Sequence, residues 1–312
     1  MPHEALPRDF SKVLTTVRQR LLRLHYEANA GHIGGNLSCL DAMLVLHLAT
    51  MTEADRFVLS KGHAAGALYV SLWAKGLLSE EILATFCGEG TTLPGHPSGS
   101  GVPGLLFPTG SLGHGPSLAA GLALALRHKR KTGKPENRGR VYCLCSDGEW
   151  QEGSCWETLN FALRHELDNL VILVDQNGLQ GFGSTAEVIG ISDLAPRFEA
   201  FGAFVQSVDG HDPESIRAAL ATSEHASSAI PETRFGVSET IVHGAEGSPE
   251  PYRGIPSLQA GVTQNRRPHI VVLRTRKGYG LHFEGKLESH YLPLTREQYE
   301  EGIQRIQTEG RL

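Results

Sequence analysis

The chain has 312 residues, 40% of them apolar and 20% charged, which is too apolar for a disordered chain and leaves room for one large domain or two small ones. Lys+Arg 29 stand against Asp+Glu 34 with no basic block, and no apolar run approaches the roughly 18 residues a membrane helix needs, so nucleic acid and membrane are not expected partners and a cytoplasmic address is. Five Cys, an odd number without a C-x-x-C, indicate neither a disulfide framework nor a zinc knuckle, whereas 36 Gly and 15 His, often adjacent, suggest backbone that approaches a ligand closely.

Residues 11–28 have the apolar stripe of an amphipathic helix, with Val13, Leu14, Val17, Leu21 and Leu24 on one side. A glycine break follows at Gly31-His32-Ile33-Gly34-Gly35-Asn36, and Ser38-Cys39-Leu40-Asp41 reads as the capped start of a helix through about Leu48. Residues 55–60 form a short strand, Lys61-Gly62-His63 opens an Ala- and Leu-rich helix, and Ser79 caps another. A long Gly/Pro/Ser loop spans 88–115, a length usually reserved for function. Pro116 then stands near the start of a helix of small apolar residues on nearly all sides, expected to be buried. Strands at 141–145, 170–174, 203–208 and 270–274 alternate with helices at 153–164, 193–201 and 213–221, and a last helix covers 295–308. Strands that are apolar throughout rather than alternating predict an α/β fold of three layers, a mostly parallel sheet with helices on both faces. Residues 222–268 are polar and interrupt this rhythm as a surface insertion.

Two groups of residues carry chemistry. Ser146-Asp147-Gly148-Glu149 begins where one strand ends, and Asp175-Gln176-Asn177-Gly178-Leu179 ends the next, so both lie at the carboxyl edge where ligands bind. A carboxylate, an amide oxygen and a free carbonyl are hard ligands suited to Mg²⁺ or Ca²⁺, and Gly148 admits a phosphate to the backbone. The same residues also suit ordinary turns at strand ends. The second group is His32, His63, His96 and His114, each in a Gly-rich loop and none in H-x-x-x-H spacing. Imidazoles so placed bind hydroxyls and move protons near neutral pH. Lys277-Gly278-Tyr279-Gly280 reads as a further carboxyl-edge loop, with His290 beyond it, while Cys143, Cys145, Trp150 and Trp156 read as core residues.

Six ordered pieces resemble the amino-terminal, diphosphate-binding part of transketolase in its split, two-chain form. They are Gly31-His32-Ile33-Gly34-Gly35, the run Asp55 to His63, Pro94-Gly95-His96-Pro97, Thr109-Gly110-Ser111-Leu112-Gly113-His114-Gly115, the Asp147 and Asn177 pair, and Asp209-Gly210-His211-Asp212. The resemblance implies a single diphosphate-binding domain over 1–312, with 222–268 inserted, that binds thiamine diphosphate with Mg²⁺ or another divalent ion such as Ca²⁺ or Mn²⁺. It assigns the metal to Asp147, Asn177 and the carbonyl of Leu179. It places Gly148 at the diphosphate, Gly110 and Leu112 by the aminopyrimidine, and His114 close to the cofactor. His32, His63 and His96 match imidazoles around the reactive carbon and the sugar hydroxyls. His290 matches a catalytic imidazole near the diphosphate, and Glu152 a buried interface carboxylate. The implied reaction moves a two-carbon ketol unit from a ketose to an aldehyde. The implied partner is a carboxyl-terminal transketolase subunit with the pyrimidine-binding domain, in a heterotetramer with two copies of each chain. Ser146, Gln176 and His114 depart from the usual pattern and leave room for a specialised ketol transfer. The competing readings are one chain of a thiamine-dependent 2-oxo acid decarboxylase or dehydrogenase, a non-catalytic cofactor-binding paralogue, and a metal-dependent hydrolase built on the His set.

Overall fold

The computed structural model describes residues 6–98, 101–130, 139–190, 192–222 and 266–309. Its centre is a five-stranded sheet of β1 (Arg56–Leu59), β2 (Val141–Ser146), β3 (Leu170–Gln176), β6 (Phe204–Asp209) and β7 (His269–Arg274). The order across the sheet is β1-β2-β3-β7-β6, and every pairing is parallel. Parallel strands need covered crossovers, and helices cover both faces, as the apolar strands predict.

Alternate strand residues feed two separate cores. Phe57, Leu59, Tyr142, Leu144, Val171, Leu173, Val271 and Leu273 pack with α1 (Phe10–Glu27), α2 (Ile33–Val45), α3 (Ala65–Ala74), α9 (Pro213–Thr222) and α11 (Arg296–Glu309). Val58, Val141, Cys143, Cys145, Ile172, Val174 and Ile270 pack with α5 (Gly115–Arg130), α6 (Gly153–Arg164) and α8 (Ala195–Phe201) on the other face. Trp150 is fully buried and meets the rings of Trp156 and Phe198 edge-on, so the core reading of both Trp holds.

Several expectations change. The glycine break is helix: α2 starts at Ile33, five residues before the expected Ser38, and continues into a π-helical turn, Leu46–Thr50. Tight packing explains the glycines, because a Cβ on Gly34 would lie 2.3 Å from the Ser289 hydroxyl and one on Gly35 would touch the His63 ring at 3.4 Å. The resulting 18-residue stretch Ile33–Thr50 is apolar enough to cross a membrane, contrary to the sequence reading, but 94% of it is buried inside the fold. Helix α5 is buried on one face only: Ala119, Ala120 and Ala123 meet the sheet, Leu118 and Leu122 are half-covered, and Gly121 and Ala125 are exposed. Small residues fit the sheet side closely and leave the far side bare. A two-strand hairpin, β4 (Leu179–Gln180) with β5 (Gly183–Ser184), and the short helices α7 (Thr185–Ile189) and α10 (Glu288–Tyr291) were not foreseen. Ser79 caps the short helix α4 (Glu80–Leu83) as expected. Most of the expected insertion, 223–265, lies outside the described residues.

Candidate active site

The carboxyl ends of β2 and β3 lie side by side, with Ser146 opposite Asp175. Asp147 is 2% exposed and accepts the N–H groups of Gly148 at 2.8 Å and Gly178 at 2.6 Å. Burial, and then the charge of Asp175, push its pKa up to about 6. A buried carboxylate whose charge the protein leaves this poorly compensated is a fit for a cation. Asn177 turns its Oδ1 to the N–H of Leu179 at 3.1 Å, and the Leu179 carbonyl accepts from Lys277 Nζ at 3.1 Å. The three expected metal ligands are therefore neighbours in one loop pair. The N–H of Gly148 is already bound by Asp147, so that glycine offers space rather than a free donor.

Behind this loop pair sits a network that the sequence reading missed. Asp175 is fully buried and accepts from Lys61 Nζ, Thr275 Oγ1 and, at 2.5 Å, Ser38 Oγ. Burial opposes both charges, yet the pairing keeps Asp175 below and Lys61 above their ordinary values. Glu149 is likewise buried and joins Ser60 Oγ to the N–H groups of Gly113 at 2.8 Å and Ser146 at 3.3 Å. A charged residue at the end of an apolar strand, as in Leu170 to Asp175, was the available signal.

Four of the expected imidazoles converge. The His32 ring centroid lies 5.6 Å from His63, 6.0 Å from His96 and 5.0 Å from His290, and His63 lies 6.0 Å from His290. Asn36 ties two of the loops together, its amide donating to the carbonyls of His32 at 2.9 Å and His63 at 3.0 Å. His32 has φ +64, a left-handed conformation held at the start of α2, and its N–H binds the carbonyl of His290 at 3.1 Å. Such strain in a non-glycine residue persists where the surroundings fix it, often at functional sites. Burial first, and cationic neighbours second, lower the pKa of His63, and that of His290 to about 3; burial first, then His96, Lys277 and Lys61, lower that of His32. These rings are neutral near pH 7. Among the described residues, no group of three or more His, Cys, Asp or Glu converges as metal ligands, which leaves the hydrolase reading without its centre.

Lys277 completes the site. Its buried ammonium lies 2.5 Å from His290 Nδ1, and burial together with Lys61 lowers its pKa to about 8. A cation among neutral imidazoles is a fit for an anionic ligand.

The remaining expected residues line the approach. A Cβ on Gly62 would lie 2.6 Å from the Gly110 nitrogen, so Gly62 lets the 109–110 loop cross; Gly110 has φ +136 and packs on the His96 ring. Leu112 and His114 are exposed, and His114 faces the Ser111 carbonyl at 3.2 Å, away from the other imidazoles. Glu152 is exposed in this chain rather than buried, its Cβ packed against Gly113. Leu112, close in the chain to Gly110, Tyr291 and Leu292, beside His290, and Phe182 in the β4–β5 hairpin are between 38% and 89% exposed. Bared apolar side chains of this kind suit contact with another surface.

The family model for "Transketolase, thiamine diphosphate binding domain" matches residues 11–249. The chain is 34% identical over 299 residues to one of the subunits of the apulose-4-phosphate transketolase of Phocaeicola vulgatus, covering 93% of this chain and 90% of the relative. It is 32% identical to a 6-deoxy-6-sulfo-D-fructose transketolase subunit of Clostridium sp., covering 97% of this chain and 98% of that one. The transketolase structure from Leishmania mexicana superposes with a TM-score of 0.75 at 26% identity, over 96% of this chain but only 41% of the larger one. The chain belongs to the transketolase family, with the family's thiamine diphosphate-binding domain as its matched part.

Proposed function

We propose that this chain is one subunit of a two-chain, thiamine diphosphate-dependent transketolase that moves a two-carbon ketol unit from a ketose to an aldehyde acceptor. The observation that carries this reading is the convergence, at one sheet edge, of a poorly compensated Asp147, a buried Lys277 and four imidazoles. The chain matches relatives called transketolase subunits over nearly their whole length and spans less than half of the one-chain Leishmania enzyme. No observation favours the 2-oxo acid reading or the non-catalytic one.

When bound, thiamine diphosphate supplies the reactive carbon that carries the two-carbon unit. Asp147, Asn177 and the Leu179 carbonyl would hold Mg²⁺ or a similar divalent ion against the diphosphate. Lys277 adds a positive charge at that end. Gly110 and Leu112 would flank the aminopyrimidine, with His114 close to the cofactor. His32, His63, His96 and His290 orient sugar hydroxyls, and imidazoles so placed accept or return a proton at a hydroxyl oxygen. The bared apolar side chains and the exposed Glu152 and α5 face belong in contact with other chains: a carboxyl-terminal subunit that brings the pyrimidine-binding domain, and a second copy of this one, in a cytoplasmic heterotetramer. Both relatives are named for ketoses with an anionic group, a phosphate or a sulfonate, and a donor of that class is proposed here.

The test is ketol transfer by the purified chain with cofactor and Mg²⁺, alone and with its partner subunit. Activity is expected only in the mixture, and Asp147→Ala abolishes cofactor binding there. Full turnover by the chain alone, or unchanged affinity in Asp147→Ala, overturns the reading.

A further inference from the structure

The turn Asp209-Gly210-His211-Asp212 follows β6 and none of its side chains has a part in the proposed chemistry. The His211 side chain is 5% exposed. Its Nε2 accepts the backbone N–H of Arg276 at 3.0 Å, and its Nδ1 lies 3.1 Å from Asp41 Oδ2. A nitrogen that accepts an N–H carries no proton, and the nitrogen facing a carboxylate carries one, so the contacts select the neutral ring with hydrogen on Nδ1. Asp41 is itself fixed, buried in α2 and held through both oxygens by Arg18 at 2.8 and 3.0 Å. The His211 ring stacks on Tyr279 at 3.6 Å between centroids and 16° between planes. A Cβ on Gly210 would lie 2.3 Å from Thr275 Cγ2, so the glycine lets this turn press against the end of β7.

Arg276 immediately precedes Lys277. Its flanks are tied by main-chain bonds, Thr275 to the Gln176 carbonyl at 3.2 Å and Gly278 to the Gly34 carbonyl at 3.0 Å. At Arg276 the backbone N–H is received by a side chain from another element. A loop pinned at that point directs the next side chain, and the Lys277 ammonium stands between the Leu179 carbonyl and His290.

We propose that His211 is a positioning residue: oriented by Asp41, it holds the backbone at Arg276 so that Lys277 faces the diphosphate end of the site, and it thereby sets the preference for a diphosphorylated over an unphosphorylated thiamine. This inference rests on the cofactor reading above. The His211–Arg276 link reaches the ligand through a charged group, whose hydrogen bonds are worth about 1.5–3 kcal/mol, or roughly 10–100-fold in affinity.

Three forms of the full chain, each assembled with its partner subunit, test it: wild type, His211→Asn and His211→Gln. The Gln amide reaches the position of Nε2 and still accepts from Arg276, whereas the Asn amide reaches only the position of Nδ1. Titration with thiamine diphosphate and with thiamine, in Mg²⁺, is expected to show about 10–100-fold weaker diphosphate binding in His211→Asn, little change for thiamine, and recovery in His211→Gln. Amide exchange at Arg276 should quicken in the Asn variant while residues 270–273 of β7 keep their protection. A His211→Asn chain that keeps both its diphosphate preference and its Arg276 protection overturns the proposal. So does loss of β7 protection in both variants, which would make His211 a residue of the fold alone. If wild type fails to bind thiamine diphosphate, the cofactor reading fails first, and the exchange measurement still decides whether His211 pins the loop.

Discussion

Replacing Asp175 by Asn tests the buried network behind the site. The Asp175 and Lys61 side chains are both 0% exposed, and Lys61 has one further acceptor, the Gly35 carbonyl at 2.9 Å. In Asp175→Asn the ammonium loses its counter-charge while remaining out of water. The amide N–H₂ also faces a donor, because Ser38, Lys61 and Thr275 all donate to the native carboxylate. Breaking one partner of a buried pair costs about 3–5 kcal/mol. At roughly 2–4 °C per kcal/mol for a chain near this size, the melting temperature falls by about 10 °C. Urea denaturation followed by tryptophan fluorescence measures the loss, with Lys61→Met and the double variant completing a cycle. The double variant should regain much of the stability, since removing both charges removes the uncompensated one. A single variant within about 1 kcal/mol of wild type, or strictly additive losses, refutes the reasoning.

Two further outcomes are expected. His269 is 2% exposed at the start of β7, neither ring nitrogen has a partner among the described residues, and burial lowers its pKa to about 3. The folded pKa is below the unfolded value of about 6.5, so this contribution to stability is full above pH 6.5 and is lost as pH falls toward 3, by about 2 kcal/mol at pH 5. His269→Phe should therefore outperform wild type by about 2 kcal/mol more at pH 5 than at pH 7 in chemical denaturation, and an equal difference at the two pH values would count against it. Gly34→Ala is favoured by helix propensity, by roughly 1 kcal/mol. The new methyl, however, meets Ser289 at 2.3 Å and displaces α10, so the variant should instead lose about 1–3 kcal/mol and, through His290, turnover; a net gain in stability would show that α10 yields freely.

The sheet was legible because its inner strands β2, β3 and β7 are buried on both faces and so read as nearly unbroken apolar runs, whereas the edge strand β6 is half-exposed and carries Gln206 and Ser207. The helix at 153–164 was legible for the complementary reason, an apolar stripe with polar flanks. The start of α2 was not, because glycine signals a break in local terms, and the demand for it here comes from Ser289, more than 250 residues away. The same limit hid the partners of Asp175 and Glu149: a buried acid is visible in sequence only as an acid, and what satisfies it lies on other elements. Three of the four imidazoles read from their glycine neighbours, His32, His63 and His96, converge, and His290, which has no glycine beside it and was named through the family resemblance, joins them. His114 has the same glycine-flanked setting as His32, His63 and His96 but faces the Ser111 carbonyl. Glu152 was expected to be buried and is exposed in this chain.

Glu149 binds Ser60, Gly113 and Ser146, and it belongs to the same turn as Asp147. One short stretch of backbone thus presents the carboxylate proposed for the metal and clamps the loop proposed for the opposite end of the cofactor. The two ends are referenced to one datum, like jaws cut from a single block. A disturbance of that turn therefore reaches the Asp147 carboxylate and the Gly113 loop at once, so neither can be shifted through this turn without the other.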